Sequence, residues 1–401
     1  MAQASADDLL RDGAAKHARG DLALAERLYR RVLKLRPGDA NALNLLSVAA
    51  RQRGDAAAAV ALSAEALAQQ PRSPVFLASH GAALAEAGRL AESMAVLRAA
   101  LALRRADPVS LRNLGQAMCG MGDAAGAVAP LSRAAELAPG TPEPWLALAH
   151  ALRDTGADGA APAARRALSL PGISPGLAAQ ARFLLAGLGA DAAPDRAPAA
   201  YVRDLFDQYA PRFDADLEGN LGYRTPALLA ALLEEAGIVA DASRRVLDLG
   251  CGTGLSGLAL KPFAQRLEGL DLSPRMLAQA KARGIYDALH EADLLDWLPT
   301  RRAGFDVVAA ADVLNYLGDL APALAAMGRA LAPGGIAAFS IEAGEGAAYA
   351  LGPALRYRHD PDHVAALATA AGFSGLARQG ATLREEKGAP VRGVLFVLRR
   401  G

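Results

Sequence analysis

The sequence lacks most of the features that mark secreted, metal-binding or membrane-spanning proteins. Its 401 residues include two cysteines, Cys119 and Cys251, which we assign to different domains, so no disulfide framework is expected and a reducing compartment fits. The histidines show no metal-ligand spacing with cysteine or carboxylates. No uncharged apolar run reaches the roughly 20 residues that span a bilayer, and Met1 to Asp8 has no signal-peptide pattern. We therefore expect a cytoplasmic protein that binds no metal and no membrane.

An excess of charge of one sign is also missing. The formal net charge is +1, and lysine and arginine form no long basic run, so a nucleic-acid partner is not expected. The hydrophobic fraction of 52% excludes wholesale disorder. The length is too great for one ordinary core and predicts two domains.

The N-terminal half contains a repeat. Five glycines recur at intervals of 34 residues, and alanine or serine follows the first four of them by five positions. Such small residues let the two helices of a unit approach closely, and the glycine ends the first helix. This half resembles a tetratricopeptide-repeat array from about Ala6 to Leu170, with a capping helix over 175–188, so we assign residues 1–189 to an all-α solenoid. The repeated glycines are Gly20, Gly54, Gly88, Gly122 and Gly156.

Arrays of this kind present a concave surface made by the first helix of each unit. The repeat phase places polar, mildly basic side chains on that surface, which predicts a groove for an acidic or extended peptide. The alternative is an ordinary solvated helical surface. The side chains are Asn41, Asn44, Arg51, Gln52, Arg112, Gln116, His150 and Arg153.

Residues 190–200, ADAAPDRAPAA, bury little and predict a short, fairly stiff linker. Residues 201–401 alternate strands with helices, which predicts a doubly wound, Rossmann-like sheet with ligands at the carboxyl ends of its strands. Two late strands over 377–383 and 393–399, with a turn at Lys387-Gly388, predict a closing hairpin. The other strands are predicted over 245–249, 267–272, 288–291, 306–310 and 336–341, and helices over 226–236, 274–283 and 320–331.

The segment VLDLGCGTG, over 246–254, is the most informative part of the chain. An apolar run ends in Asp248 and is followed by alternating glycines, the pattern of a buried strand turning into a loop whose backbone approaches a ligand. A second apolar strand carries Asp271 near its end, 21 positions after Gly250 and close to where an acid grips a ribose in nucleotide-binding folds. This arrangement predicts a nucleoside-containing ligand.

From about Tyr201 to the end, the chain resembles class I S-adenosylmethionine-dependent methyltransferases. With the repeats, the whole chain resembles a bacterial family of methyltransferases that carry tetratricopeptide repeats. The resemblance implies S-adenosylmethionine as cofactor and methyl transfer to an unidentified small-molecule or protein acceptor, with the repeats recruiting a partner or substrate. Besides VLDLGCGTG, it is carried by LDLS at 270–273, EADLLDWL at 291–298, FDVVAAADVLNYL at 305–317 and LAPGG at 331–335.

The resemblance also implies a cofactor site around the glycine loop. The glycines make room for the methionine portion, Asp248 sets negative charge near the sulfonium and ammonium groups, and Asp271 accepts the ribose hydroxyls. Asp293 and the Leu294 N–H face adenine. Met276 either packs on the ribose or adenine or belongs to a helical core. The expected cofactor-binding residues are Asp248, Gly250, Cys251, Gly252, Gly254, Asp271, Leu272, Met276, Asp293, Leu294 and Asp312.

Displacement at a sulfonium mainly requires alignment of the reacting groups, so no catalytic residue is assigned. Asp312 is expected to face the methionine or the substrate. Tyr209 and Phe213 predict a lid over the cofactor or, alternatively, a simple apolar stripe. The candidates for the substrate side are Tyr209, Asn315, Tyr316 and His359.

Two other functions stay open at this point. One is a non-catalytic repeat scaffold whose fused domain only senses the cofactor. The other is a dinucleotide-dependent oxidoreductase, since Gly252, Gly254 and Gly257 fit the G-x-G-x-x-G fingerprint. That fit places Asp271 only 14 positions beyond the last glycine, and Asp248 would repel a diphosphate, so methyl transfer is favoured.

Overall fold

The computed structural model describes residues 5–220, 222–386 and 388–401. The chain divides into two compact units, Met1–Leu177 and Ala178–Gly401. Within the described ranges, no helix combines the length and the apolar character that crossing a bilayer requires. The helices of the first unit are α1 (Ala6–Ala18), α2 (Leu22–Leu35), α3 (Ala40–Gln52), α4 (Ala56–Gln69), α5 (Pro74–Glu86), α6 (Leu90–Leu103), α7 (Pro108–Gly120), α8 (Ala124–Leu137), α9 (Pro142–Thr155) and α10 (Ala160–Ser169).

The repeated glycines end the first helix of each pair, as predicted from their spacing. All five have a positive φ, between 67° and 85°, a conformation in which glycine is the least strained residue. The next residue then caps the second helix in three units: the carboxylates of Asp21, Asp55 and Asp123 accept backbone N–H groups from the first helical turn. Chain reversal and helix initiation are therefore encoded in adjacent residues.

In the third and fourth helix pairs of the repeat array, a glycine of the first helix faces a leucine of the second helix where the two helices cross. A Cβ on Gly115 would lie 2.4 Å from Cγ of the buried Leu131, and Gly81 is similarly close to Leu97. In the second helix pair of the repeat array, the corresponding positions are Ser47 and Ser63. Both side chains are fully buried, and both hydroxyls donate to the carbonyl of Ala59. A medium-sized pair thus replaces the small and large pair, which conserves volume at the crossing.

The second compact unit of the chain is a mixed sheet covered by helices. Its strands are β1 (Arg244–Leu249), β2 (Ala264–Asp271), β3 (Ala288–Glu291), β4 (Phe305–Ala310), β5 (Leu331–Ala343), β6 (Tyr349–Leu351), β7 (Tyr357–His359), β8 (Phe373–Glu386) and β9 (Ala389–Arg400). Its helices are α11 (Pro175–Gly187), of which residues before 178 belong to the first unit, α12 (Ala199–Tyr209), α13 (Phe213–Ala215), α14 (Thr225–Glu235), α15 (Leu255–Leu260), α16 (Pro274–Arg283), α17 (Leu294–Trp297), α18 (Ala321–Ala330) and α19 (Pro361–Ala370).

The sheet order places a ligand-binding crevice at β1 and β4. The strands run β3-β2-β1-β4-β5-β7-β6; β1 to β5 are parallel, and β9 pairs antiparallel with β5 and β8. Alternate residues of β1 face opposite sides of the sheet. Val246 belongs to the same hydrophobic cluster as Leu233 of α14, and Leu247 belongs to the other cluster with Met327 of α18. The chain leaves β1 toward one side and β4 toward the other, so their carboxyl ends open a crevice between them.

The structure extends several predicted strands and adds elements that the sequence pattern did not predict. The central strands and the closing hairpin lie where predicted, although Lys387 of the expected turn is outside the described residues. The short strands β6 and β7 and the helix α19 were not predicted. Two strands of three residues each are too short to show an alternating pattern.

The expected linker is part of the second compact unit. The N–H of Ala197 donates to the carbonyl of Tyr316 at 2.8 Å, and the carbonyl of Asp195 accepts from the N–H of Gly318 at 2.7 Å. The hydroxyl of Tyr349 donates to the Asp195 carboxylate at 2.8 Å. The boundary between the compact units lies at residues 177 and 178, not near 189, because Ala178 and the residues after it pack within the second unit.

We predict that Gly115→Ala destabilises the repeat array by about 1–2 kcal/mol. Overpacking against Leu131 costs about 1–3 kcal/mol, and the better helix propensity of alanine returns up to about 1 kcal/mol. The matched control is Gly140→Ala, because a Cβ there meets nothing within 4 Å and the φ is not positive. Calorimetric melting of the full chain should show a lower transition for the first variant only. Equal transitions would contradict the packing argument.

Candidate active site

The loop between β1 and α15 brings bare main chain to the crevice. Gly250, Gly252 and Gly254 have φ values of 61°, 54° and 97°. A Cβ on Gly250 would lie 2.3 Å from Cγ2 of Val313, in the loop after β4. Gly250 therefore has two reasons to be glycine, its left-handed backbone and the close approach of that neighbouring loop.

A cavity of about 430 Å³ lies at the carboxyl ends of the parallel strands. Its wall includes loops that follow β1, β2, β3 and β4, together with residues of α12 and the β8–β9 hairpin. Most of the residues expected at the site line it. Those on the wall are Tyr209, Gly250, Cys251, Gly252, Asp271, Leu272, Asp293, Leu294, Asp312, Asn315 and Tyr316.

Asp271 joins the loops that follow β1 and β2. Its Oδ2 accepts from the N–H of Gly252 at 2.9 Å, and its Oδ1 accepts from the N–H of Ser273 at 2.8 Å. Burial raises the pKa of Asp271 to about 6, partly opposed by these backbone hydrogen bonds. Each carboxylate oxygen has a further lone pair, so Asp271 can still accept hydroxyl groups from a ligand in the cavity.

Asp293 has partners that were not foreseen. Its Oδ1 accepts from the N–H of Leu295 at 2.9 Å, which caps α17, and its Oδ2 forms an ion pair with Arg196. Arg196 comes from the segment expected to be a linker, and it also lines the cavity. A ligand amine at Asp293 must therefore share the carboxylate with Arg196 or displace it.

Asp248, which was expected at the cofactor site, lies behind the glycine loop. This side chain is fully buried and is not part of the cavity wall. Its Oδ2 accepts at 2.7 Å from both the Ser256 hydroxyl and the Tyr286 hydroxyl, which tie β1 to α15 and to the chain after α16. Asp248 therefore supports the loop from behind, and its carboxylate does not face a ligand in the cavity.

Three other expected residues also lie off the cavity wall. Gly254 faces side chains of Arg283 and Tyr286, so its role is close packing behind the loop. Met276 is fully buried on α16, which decides for the helical-core alternative. His359 is buried and its Nε2 hydrogen-bonds the carbonyls of residues 317 and 318 at 2.9 and 3.1 Å, so it is structural and meets neither substrate nor solvent.

The wall of the cavity also contains an ionic cluster. Arg384 of β8 donates to Glu386 at 2.7 Å, to Asp312 at 3.1 Å and to Glu342 of β5. Arg356 donates to Glu342 at 2.6 Å and also pairs with Glu386. We call these five side chains the ionic cluster. Asp312 has a φ of 57°, rare for a residue other than glycine, and burial raises its pKa.

Aromatic residues of α12 and the turn that follows it cover the cavity. Tyr209 lies 5.2 Å from Phe213 between ring centroids, and Phe206 lies 5.5 Å from Tyr316. The cover is fastened by the Asp207 carboxylate, which accepts from the Ser273 hydroxyl at 2.6 Å. Of the two alternatives for Tyr209 and Phe213, the structure favours a cover over the cavity, since both line it.

Sequence reasoning missed much of the cavity wall around Asp312. Arg384 and Glu386 lie on a hairpin far from the recognised motifs, and no local pattern relates them to Asp312. Tyr223 and Phe206 also line the cavity from segments before β1. For Arg356 a signal existed, because Arg356, Tyr357 and Arg358 form a basic and aromatic run before His359. The pattern did not show which member of that run lines the cavity.

The predicted groove of the repeat array is less basic than expected. Arg51 forms an ion pair with Glu86 at 2.5 Å, and Arg153 pairs with Asp154 at 2.6 Å. Burial lowers the pKa of Arg112, and the carboxylate of Glu143 opposes that shift. His150 is also poorly solvated, which lowers its pKa to about 3 and keeps it neutral.

Comparison with known proteins agrees with this geometry. Residues 247–339 match a family model described as a methyltransferase domain. The chain is 37% identical over 113 residues to methyltransferase-like protein 27 of Homo sapiens, covering 28% of this chain and 46% of that protein. It is 37% identical over 142 residues to demethylmenaquinone methyltransferase of Thermus thermophilus, covering 33% and 61%. The chain thus spans about half the length of these relatives.

Solved structures are also similar to parts of the chain. A thermophilic TPR protein of Thermus thermophilus is similar over 44% of this chain and 97% of its own, with 24% identity and a TM-score of 0.41.

The fold and the cavity define a Rossmann-like α/β domain whose cavity lies at a topological switch point. Residues 247–339 of this unit match a methyltransferase domain, and the chain joins it to an N-terminal array of helix pairs that repeat every 34 residues. The dinucleotide alternative has no support from this match.

We predict that Asp248→Asn stabilises the protein more at pH 8 than at pH 5. Burial raises the folded-state pKa of Asp248 to about 7, above the usual 3.8, so ionisation costs stability increasingly as the pH rises from about 4 to 7. Asparagine keeps an oxygen for Ser256 and Tyr286 and carries no charge. Denaturant unfolding of the full chain at both pH values gives the difference.

The control for this prediction is Asp306→Asn. Hydrogen bonding to Arg245 lowers the pKa of Asp306, so the ionised form stabilises the fold above the usual pKa. This half-exposed pair contributes up to about 1 kcal/mol, and its loss should lower stability at neutral pH. Parallel pH profiles of stability for wild type and Asp248→Asn would show that the folded-state pKa of Asp248 is not raised by burial.

Proposed function

We propose that this protein transfers a methyl group from S-adenosylmethionine to a small-molecule or protein acceptor, and that the repeat array recruits a partner or the substrate. The observation that carries the first part is the cavity between β1 and β4, walled by glycine main chain and by Asp271. A side chain in place of Gly250 would collide with Val313, and the unused lone pairs of Asp271 face a site suited to a ribose.

The cofactor fits this cavity on the residues that line it. Gly250 to Gly252 would hold the methionine portion, Asp271 the ribose, and Asp293 with the Leu294 N–H the adenine. When bound, the cofactor supplies a methyl group activated by a positively charged sulfur. The protein contributes orientation, which supplies roughly 7–11 kcal/mol of barrier lowering in favourable systems. The aromatic cover of Phe206, Tyr209 and Phe213 helps to exclude water.

The relatives do not decide the acceptor, because their printed names specify different ones and the chain matches only part of each. Demethylmenaquinone is named for the Thermus thermophilus relative, and trans-aconitate is named for another from Acidovorax. The cytoplasmic location and the lack of a nucleic-acid partner stay predictions.

We predict that Asp271→Asn weakens S-adenosylmethionine binding about 10- to 100-fold, because charge-assisted hydrogen bonds to the ribose contribute about 1.5–3 kcal/mol. Isothermal titration of the full chain with S-adenosylmethionine and S-adenosylhomocysteine measures the change. The control is Asp296→Asn, an exposed acid outside the cavity. The proposal fails if wild type binds neither ligand, and the assignment of Asp271 fails if both variants bind like wild type.

The repeat array offers a second cavity, of about 230 Å³, on α5 and α7 and their neighbours. Val75 and Val109 line it and are 52% and 50% exposed, an unusual fraction for valine. Arg51 and Asn113 supply polar groups beside them. Apolar contact area flanked by hydrogen-bonding side chains suits an extended peptide segment.

We predict that Val75→Glu with Val109→Glu lowers methyl labelling of lysate proteins several-fold and leaves S-adenosylmethionine affinity unchanged. New charges at both positions would repel an apolar segment without disturbing the exposed fold. Met121→Glu, at 55% exposure outside this cavity, is the matched control. Labelling equal to wild type would contradict recruitment by this surface. Cofactor binding without any labelled product would instead favour the scaffold that only senses the cofactor.

A further inference from the structure

Asn315 presents an unsatisfied acceptor at the cavity wall. Its side chain lines the cavity and is 3% exposed. Its Nδ2 donates to Glu342 at 3.4 Å, which fixes the orientation of the amide because a carboxylate only accepts. Its Oδ1 is buried and has no hydrogen-bond partner among the described residues. A buried acceptor of this kind costs free energy unless a ligand supplies a donor.

The two arginines beside Asn315 do not form an anion site. Arg384 donates from all three guanidinium nitrogens to carboxylates, those of Glu386, Asp312 and Glu342. Arg356 donates from Nε to Glu342 and from Nη2 to Glu386. Both guanidinium groups are therefore paired with carboxylates of the ionic cluster, and a carboxylate or phosphate ligand would have to compete with three carboxylates for the remaining N–H groups.

The formal charge of the ionic cluster also disfavours an anionic ligand. Three carboxylates face two guanidinium groups, which leaves one negative charge. Asp312 and Glu386 both lie on the cavity wall. A ligand with a negative charge would meet this excess in a poorly solvated site, where like charges repel strongly. A neutral or cationic ligand carries no such penalty.

We propose that the methyl acceptor is a nitrogen or oxygen nucleophile that carries a proton and no negative charge, and that Asn315 Oδ1 accepts a hydrogen bond from it. This inference rests on the proposed methyltransferase function. It excludes carboxylates and phosphates as acceptors, although two arginines line the site. Asn315 is a binding and positioning residue for the acceptor.

The transfer is then a balanced displacement. The acceptor lone pair forms the new bond to the methyl carbon while the bond from that carbon to sulfur breaks and its electron pair stays on sulfur. The acceptor proton goes to the carboxylate of Asp312, which lines the cavity and which burial makes more basic. An amine and a hydroxyl compound share this chemistry.

The experiment classifies the labelled product before the acceptor is identified. The full chain is incubated with cell lysate and S-adenosylmethionine carrying a ¹³C methyl group, and two-dimensional NMR with alkaline hydrolysis separates methyl amines, methyl ethers, methyl esters and carbon-bound methyl groups. We expect label on nitrogen or on an ether oxygen. Retention of the product on a cation exchanger in acid distinguishes the amine from the ether. Label released by alkali as methanol, or found on carbon, would overturn the inference.

The variant Asn315→Leu tests the residue itself. Leucine has nearly the same shape and no acceptor, so labelling at limiting lysate should fall about tenfold, while the dissociation constant for S-adenosylhomocysteine stays within about twofold. Gln265→Leu, the same change from amide to leucine at an exposed position outside the cavity and outside the predicted groove, should label like wild type. Unchanged labelling by Asn315→Leu would overturn the role of Asn315. Failure of the proposed function itself is seen separately, as wild type that does not bind S-adenosylhomocysteine.

Discussion

The carboxylate of Asp271 connects the loops that follow β1 and β2, and the cavity depends on that connection. By accepting from the backbone of Gly252 and of Ser273, it holds the glycine loop against the start of α16. On the opposite side of the loop, Asp248 accepts from Ser256 and Tyr286. One buried acid thus faces the cavity and the other supports the loop from behind. Their different surroundings explain why two similar residues in similar motifs have different roles.

The ionic cluster in the cavity wall is built on a different principle. It brings together side chains from β5, β8 and the segments around them, which pair with one another in a poorly solvated wall and leave one carboxylate in excess. Ion pairs at such depth contribute little net stability but are costly to break singly. They shape the site instead, since their mutual hydrogen bonds leave Asn315 as the buried group that still needs a partner.

Residues 190–200 have a composition typical of a linker, but they fold as part of the second compact unit. Alone, residues 190–200 have little to bury, and their composition is typical of a linker. In the folded second unit, their backbone groups pair with those of residues 316–318, and Arg196 reaches Asp293 at the cavity wall. Residues 190–200 therefore belong to the second compact unit, and Arg196 forms part of the cavity wall there.

The amino-acid pattern alone determined the elements that depend on local periodicity. The repeat spacing located the helix-ending glycines, and the apolar runs located the central strands and the loop with Asp271, because strand ends and left-handed turns restrict residue type directly. It did not distinguish Asp248 from Asp271, since both follow apolar strands, nor did it relate Arg384 and Glu386 to Asp312. Only the tertiary structure decided those points, because burial and long-range pairing depend on which segments pack together, and residues as far apart in the chain as Asp312 and Arg384 carry no common local signal.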